Sequence, residues 1–237
     1  MPHNLLALEA STQTGSIALF ADGNLLIEFL VNPYTANHSE SLMPAVDRVL
    51  TEGNIPLKEI DFYAVSIGPG SFTGLRVGIS IMKGLALATG KPLVGISTLD
   101  VLAYNIPFSP YLICPIIDAR KKQVYTALYM ADNKGTLKKV REEYAVYPDE
   151  LALNIYEKAI FLGSGVKTYK DVIKSTARYP VIFAPENLNY PRASILGILG
   201  MEKVHANEFL DPDHFIPNYI RPSEAELNLY APPNFTT

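Results

Sequence analysis

The segment of residues 66–78, SIGPGSFTGLRVG, is the feature of this chain that most constrains its fold. It joins an apolar run at 62–67, which predicts a strand, to a helical pattern of apolar residues at 72–89. A strand that ends in glycines and opens into a helix is typical of α/β proteins, in which such a turn can bring backbone N–H groups close to an anion. The segment has neither the Gly-Lys-Ser/Thr of a P-loop nor a G-x-G-x-x-G fingerprint, so a tight turn that binds nothing explains it equally well.

We expect this turn to be structural and to set the start of the helix that follows it. Glycines permit backbone angles and close approaches that a Cβ atom would block. The residues assigned to this structural motif are Gly68, Pro69, Gly70, Ser71, Thr73 and Gly74.

The first hundred residues predict one structural unit that opens with three strands. The Asp22-Gly23 pair between the second and third strands is a hairpin signal. Besides the helix at 72–89, the predicted elements are strands at 5–10, 16–20, 25–31, 62–67 and 92–97 and helices at 39–52 and 98–105. This order differs from a Rossmann fold, in which a helix follows the first strand.

A proline-containing stretch at 106–111 separates this unit from a second one that again opens with strands. The predicted elements of the second unit are strands at 112–118, 124–130, 140–146, 160–162 and 181–184 and a helix at 193–203. The repeated opening predicts two related lobes, at 1–106 and 107–237, of which the second is reduced.

Composition narrows the class of protein. The 237 residues are 48% hydrophobic and carry a net charge of −4 with scattered basic residues, so we do not expect an autonomous RNA binder. The single cysteine, Cys114, excludes an internal disulfide and lies in an apolar run, which predicts a buried structural thiol. No apolar run is long enough to span a bilayer, and the first residues lack the basic region of a signal peptide, so we expect a cytoplasmic protein without membrane contact.

Several segments together resemble the TsaB (YeaZ) family of bacterial proteins. The glycine-rich segment carries the family's G-P-G-S-F-T-G-L-R-V-G word, and residues 5–12 are similar to its first strand. Further landmarks follow in the family's order and cover nearly the whole chain: residues 38–44 (HSESLMP), 95–99 (GISTL), 117–120 (IDAR), Val124-Tyr125 and 217–221 (PNYIR).

The resemblance implies an α/β fold of the actin/Hsp70/sugar-kinase class with two lobes. It also implies a role as the inactive paralogue of TsaD, the enzyme that places a threonylcarbamoyl group on N6 of adenosine 37 of tRNA. The expected partners are a TsaD-like paralogue, a TsaE-like ATPase and, for the chain alone, a second copy. ATP and metal are expected on the partner subunits, and tRNA is expected to be contacted only indirectly.

The residues of an active site are missing from the sequence. The active paralogue carries a His-x-x-x-His pair on a helix, whereas His3, His38, His205 and His214 include no such pair. The first-strand acid is Glu9 where the family usually has Asp, so Glu9, Ser11 and Thr12 are expected to be at most a vestigial nucleotide site. The alternative is an independent enzyme, either a nucleotide-dependent phosphotransferase or a glycoprotease-like hydrolase.

The helix at 72–89 is apolar around most of its circumference and contains Gly78 and Gly84. Such a helix must be covered on more than one side, which predicts a helix-to-helix subunit interface; a fully buried helix within one domain is the alternative. Met82 is expected near the middle of the exposed stripe. The residues assigned to partner binding are Leu42, Val46, Val49, Arg76, Ile79, Met82, Lys83 and Ala86.

Overall fold

A computed structural model describes residues 3–31, 38–211, 215, 217, 218 and 220 of the chain. The first sheet contains strands β1 Leu5–Glu9, β2 Gly15–Ala21, β3 Asn24–Val31, β4 Phe62–Gly68 and β5 Leu93–Ser97. The second sheet contains strands β6 Leu112–Asp118, β7 Val124–Ala131, β8 Leu137–Val146, β9 Ala159–Leu162 and β10 Val181–Phe183. The helices are α1 His38–Gly53, α2 Phe72–Thr89, α3 Thr98–Ala103, α4 Pro148–Leu153, α5 Gly165–Thr176 and α6 Ala193–His205.

The two sheets have the same topology. The strand orders are β3-β2-β1-β4-β5 and β8-β7-β6-β9-β10, read from equivalent edges. In each sheet the first three strands are antiparallel neighbours, and the fourth and fifth run parallel to the first. This repeated arrangement is the two-lobed actin/Hsp70/sugar-kinase fold that the sequence predicts. The reduction of the second lobe is visible in β9 and β10, which have four and three residues.

The central strand β1 is buried on both faces, which explains the uninterrupted apolar run of its first four residues, at 5–8. Leu6 and Leu8 pack against α1 and α2 on one face, whereas Leu5 and Ala7 pack against α6 on the other. Successive side chains of a strand point to opposite faces, so one apolar strand serves two helical layers. The first lobe is therefore a three-layer sandwich.

Helices α3 and α6 lie between the lobes. Leu99, Leu102 and Ala103 of α3 belong to the core of the second sheet, although α3 follows the first sheet in the chain. Helix α6 follows the second sheet but packs on β1, β2, β4 and β5 of the first sheet. The predicted division into lobes at 1–106 and 107–237 places α6 in the second lobe. In the structure, α6 contributes to the core of the first lobe.

The second sheet packs against α4 and α5, two helices that the sequence analysis did not predict. Ile155, which follows α4, shares a core with Val166 and Ile173 of α5 and with Cys114 of β6. Cys114 is fully buried, as predicted, and this burial raises the pKa of its thiol. Within the described residues, no helix is both long and apolar enough to cross a membrane.

Candidate functional site

The glycine-rich turn between β4 and α2 packs directly against the end of β1. The backbone N–H of Ser71 donates a hydrogen bond of 2.6 Å to the carbonyl oxygen of Ser11. A Cβ atom at Gly70 would lie only 2.2 Å from the same oxygen. The two backbones can approach this closely only because residue 70 is glycine and has no Cβ atom.

The same turn fixes the start of α2. The side chain of Ser71 caps the helix by accepting a hydrogen bond of 3.3 Å from the N–H of Gly74. Gly68 has a φ of +104°, a conformation that favours glycine, and Pro69 after it is buried. Thr73 is exposed in the first turn of the helix. The residues assigned to the structural motif thus lie together at the junction of strand and helix.

A segment from near the C-terminus also reaches this turn. The N–H of Asn218 donates a hydrogen bond of 2.8 Å to the carbonyl oxygen of Ile67, and its side-chain amide donates one of 2.9 Å to Glu143 Oε2. Asn218 belongs to the 217–221 landmark, of which Tyr219 and Arg221 lie outside the described residues. The landmark thus joins the end of β4 to β8 of the second lobe.

Glu9 is completely buried at the end of β1. Its Oε1 accepts hydrogen bonds from the Ser11 N–H, at 2.5 Å, and from the Ser11 hydroxyl, whereas its buried Oε2 has no hydrogen-bond partner. Burial raises the pKa of this carboxyl from 4.5 to about 7, against the opposing effect of hydrogen bonds from Ser11 and Ser66. The carboxyl group of Glu9 therefore makes its hydrogen bonds with neighbouring residues of the same chain.

The other groups of the vestigial nucleotide site also contact their own chain. The Ser11 hydroxyl is bonded to Glu9, and the Thr12 hydroxyl donates a hydrogen bond of 3.1 Å to the carbonyl oxygen of Thr14. A further glycine-rich turn, at residues 163–165 between β9 and α5, packs on β6, where a Cβ atom at Gly163 would lie 2.4 Å from the carbonyl oxygen of Ile116. Each of these groups therefore makes a contact within the chain that explains its position without a bound nucleotide.

The positions assigned to partner binding divide into two sets. Arg76 is exposed, with its guanidinium 3.8 Å from the centre of the Phe72 ring, and Lys83 is half-buried. The other six belong to the core between the first sheet and α1 and α2: Leu42, Val46, Val49, Ile79, Met82 and Ala86. The expectation that Met82 lies on the exposed stripe is therefore wrong, because its side chain is fully buried within this chain.

A different set of residues forms the outer face of α2. Leu75, Ile79, Met82 and Ala86 recur at helical spacing and face the sheet. The opposite side carries small or short side chains, those of Thr73, Val77, Ser80, Gly84 and Ala88, of which Val77 alone is half-buried and the others are exposed. A Cβ atom at Gly84 would meet no heavy atom of the chain within 4 Å.

A polar cluster joins the two lobes on the side of β5 and β8. Lys139 Nζ lies 3.0 Å from Asp100 Oδ1 and 3.3 Å from Glu143 Oε1. The hydroxyl of Tyr129 donates a hydrogen bond of 2.7 Å to Asp100, and the Ser97 hydroxyl donates one to Glu143. Burial lowers the pKa of Lys139, but the neighbouring carboxylates outweigh it and raise the pKa overall. The lysine is thus held in its charged form.

A cleft of about 410 Å³ opens beside this cluster between α3, α6 and β8. Its lining includes Tyr104, Leu199, Glu202 and Lys203 in addition to members of the cluster. The cluster was not predicted from the sequence, because its members are 29 to 46 residues apart in the pairs that bond across the lobes. No local sequence pattern marks such pairs.

Comparison with known proteins identifies the family. The model of the TsaD family, tRNA N6-adenosine threonylcarbamoyltransferase, matches residues 32–229. The tRNA threonylcarbamoyladenosine biosynthesis protein TsaB of Bacillus subtilis (strain 168) is 33% identical over 225 residues, which cover 94% of this chain and 96% of that protein. The TsaB protein of Escherichia coli (strain K12) is 28% identical over 92% of this chain and 94% of its own length. The chain belongs to the TsaB family.

A solved structure agrees with this assignment. YeaZ from Pseudomonas aeruginosa matches with a TM-score of 0.78 and 27% sequence identity, covering 92% of this chain and 99% of its own. The TsaB landmark at 117–120 lies at the end of β6, where Asp118 Oδ1 accepts hydrogen bonds from the Arg120 N–H at 2.8 Å and the Tyr169 hydroxyl at 3.2 Å. We therefore assign Asp118 to the support of the hairpin between β6 and β7.

His3 and His205 are the histidines of this TsaB family member whose side chains the structure describes. The His3 ring packs edge-on against Phe62, and His205 is the last residue of α6. The side chain of His38 and the whole of His214 lie outside the described residues. In the part of the chain that the structure describes, no group of three or more His, Cys, Asp or Glu residues could hold a metal ion.

Proposed function

We propose that this chain is a non-catalytic subunit that supports a TsaD-like paralogue in forming threonylcarbamoyladenosine at position 37 of tRNA. The similarity to proteins named for tRNA threonylcarbamoyladenosine biosynthesis, over nearly the whole chain, supports the process. The match to the TsaD family model supports a paralogous partner. The subunit acts in the cytoplasm, where tRNA modification takes place.

The outer face of α2 carries the proposal for the subunit interface. Its small side chains let another helix approach closely, and Leu87 beside them exposes 56% of its surface. The neighbouring helix α1 packs beside α2 on the same sheet and exposes Pro44, Asp47 and Thr51 on its own outer side. Two adjacent helices with exposed outer faces form half of a four-helix interface. In the absence of the paralogue, the same face would pair with a second copy around a two-fold axis.

The state of Glu9 supports a non-catalytic role. An acid that positions a nucleotide-bound metal has to present its carboxylate to the cleft, whereas Glu9 is fully buried and bonded to Ser11. Burial also raises the pKa of this carboxyl to about 7, which favours the uncharged form and so weakens metal binding. ATP is therefore assigned to the partner subunits, including a TsaE-like ATPase.

Substitution of Ser80 by Glu tests the interface. Ser80 is exposed, so Ser80→Glu leaves the fold intact, but it places a charge in the middle of the proposed helix contact. A charge buried there without a counter-ion costs several kcal/mol, which corresponds to a loss of affinity of more than about a hundredfold. We expect calorimetry with the purified TsaD-like subunit to detect no binding and reconstituted tRNA modification to stop.

Thr136→Glu is the matched control, because it adds the same charge at an exposed position of the other lobe, in the hairpin between β7 and β8. It should leave both measurements unchanged. If Ser80→Glu and Thr136→Glu both bind the TsaD-like subunit as tightly as the unaltered chain, the interface is not on α2. Steady ATP hydrolysis by the isolated chain that is lost in Glu9→Ala would instead show an independent enzyme.

A further inference from the structure

Charge is distributed unequally between the two halves of the fold. Residues 112–183, which span the second sheet, contain twelve Lys and Arg against eight Asp and Glu. The rest of the chain contains eight Lys and Arg against sixteen Asp and Glu. The overall charge of −4 therefore combines a net charge of +4 on residues 112–183 with a net charge of −8 on the rest of the chain.

Part of this positive charge lies on the hairpin between β6 and β7. Arg120, Lys121 and Lys122 are consecutive, exposed and all in the left-handed region, with φ values of 57°, 51° and 62°. Asp118 fastens the hairpin through its bonds to the Arg120 N–H and the Tyr169 hydroxyl. The backbone is thus held so that three basic residues follow one another at the surface.

Helix α5 continues the positive surface. Tyr169 brings α5 to the hairpin, and the exposed Lys167, Lys170 and Lys174 share one side of this helix at positions i, i+3 and i+7. The first and last of these lysines are about 10 Å apart along the helix axis. Asp171 is the single acidic residue of α5, against three lysines, so the exposed surface of the helix has a net positive charge.

We propose that a basic strip, formed by Arg120, Lys121, Lys122, Lys167, Lys170 and Lys174, binds the phosphate backbone of RNA. The strip is exposed, extends over two elements that the hydrogen bond from Tyr169 to Asp118 connects, and carries six positively charged side chains, which suits a polymer with regularly spaced negative charges. The proposal rests on the proposed function, since the RNA would be the tRNA bound by the assembled complex. It adds a direct contact where the sequence predicts only an indirect one.

Contacts to phosphates fix the position of a nucleic acid without reading its sequence. The strip would therefore hold the tRNA body in one orientation while the partner subunit reads the modified region. An acidic protein surface is the other occupant that basic residues could bind, and the test separates the two.

The test measures binding of an unmodified tRNA transcript to the complex reconstituted with the TsaD-like subunit. One variant combines Lys167→Gln, Lys170→Gln and Lys174→Gln, and a second combines Arg120→Gln with Lys122→Gln. We expect each to weaken tRNA binding about tenfold or more near physiological salt. The slope of log affinity against log salt should fall by about 0.7 to 0.9 for each phosphate contact removed.

A control variant combines Lys58→Gln, Lys134→Gln and Lys138→Gln, all at exposed positions. It removes the same charge as the first variant, but Lys134 and Lys138 lie at the other end of β7, about 25 Å from the hairpin. Equal tRNA affinity and equal salt slope for the unaltered, strip and control complexes would overturn the inference.

Subunit assembly is measured first and without RNA. If the strip variants assemble less tightly but bind tRNA normally once saturated with partner, the strip docks an acidic protein surface and the inference is wrong. Failure of the unaltered chain to bind the TsaD-like subunit at all would instead contradict the proposed function.

Discussion

Replacement of Glu9 by Gln should remove a pH dependence of stability that the structure assigns to one buried carboxyl. Gln keeps an oxygen that can accept the two hydrogen bonds from Ser11, and it cannot ionise. In the unaltered chain, burial raises the pKa of Glu9 from 4.5 to about 7. The folded state therefore holds this proton more tightly than the unfolded state does.

The sign and size of the effect follow from that difference. A carboxyl with a raised pKa contributes its full stability below pH 4.5 and loses it as the pH rises through about 7. A difference of one pKa unit corresponds to about 1.4 kcal/mol, so the loss above pH 7 is about 3 kcal/mol. Total stabilities of domains are about 5 to 15 kcal/mol, so this is a substantial fraction.

The assay is denaturant unfolding of both proteins at several values between pH 4 and pH 8. The free energy of unfolding of Glu9→Gln minus that of the unaltered chain should increase by about 3 kcal/mol across this range. Taking the difference cancels every group that titrates in both proteins, and any constant cost of the buried amide shifts the curve without changing its slope. Two parallel curves would refute the argument, because they would mean that Glu9 has the same pKa in both states.

Two further pairs of substitutions test the packing around α2. Gly70→Val should destabilise the chain by several kcal/mol in thermal or denaturant unfolding, because its Cβ atom would overlap the Ser11 carbonyl oxygen. Gly84→Ala is its control, because a Cβ atom at Gly84 would meet no heavy atom within 4 Å. This control should be neutral or stabilising by about 1 kcal/mol. An unchanged stability of Gly70→Val would show that the turn can relax away from β1. Met82→Glu should prevent cooperative folding because it buries a charge in the core, while Leu87→Glu at a side chain that is 56% exposed should fold. A folded, monomeric Met82→Glu protein would contradict the buried position of Met82.

Local signals in the sequence predict the first lobe closely. Helix α2 spans residues 72–89 as predicted, because Ser71 caps its start and Gly90, with a φ of +66°, ends it. The strands β1 to β5 are also near their predicted positions, since each is a short apolar run bounded by turn residues. Caps and turns act within a few residues, so one sequence is sufficient to recognise them.

The second lobe is harder to predict because its signals are weaker. Helix α5 begins at Gly165, the last residue of the Gly163-Ser164-Gly165 turn, and Ser164 makes no side-chain hydrogen bond to cap it. Helix α4 has only six residues, and its N-cap, Tyr147, likewise makes no side-chain hydrogen bond. Both helices are stabilised by their packing on the second sheet, which depends on residues far away in the chain.

The misassignment of Met82 has a different origin. The spacing of Leu75, Ile79, Met82 and Ala86 marks one buried face and could have been recognised in the sequence. This buried face is hard to recognise because the opposite face has no strongly polar side chain at Val77, Gly84 or Ala88. The sequence of the helix is therefore apolar on nearly all sides. A helix of this kind needs large residues inward to fill the core and small residues outward to admit a neighbour. The apolar character of α2 therefore favours an interface, while the size of each side chain determines which residues belong to it.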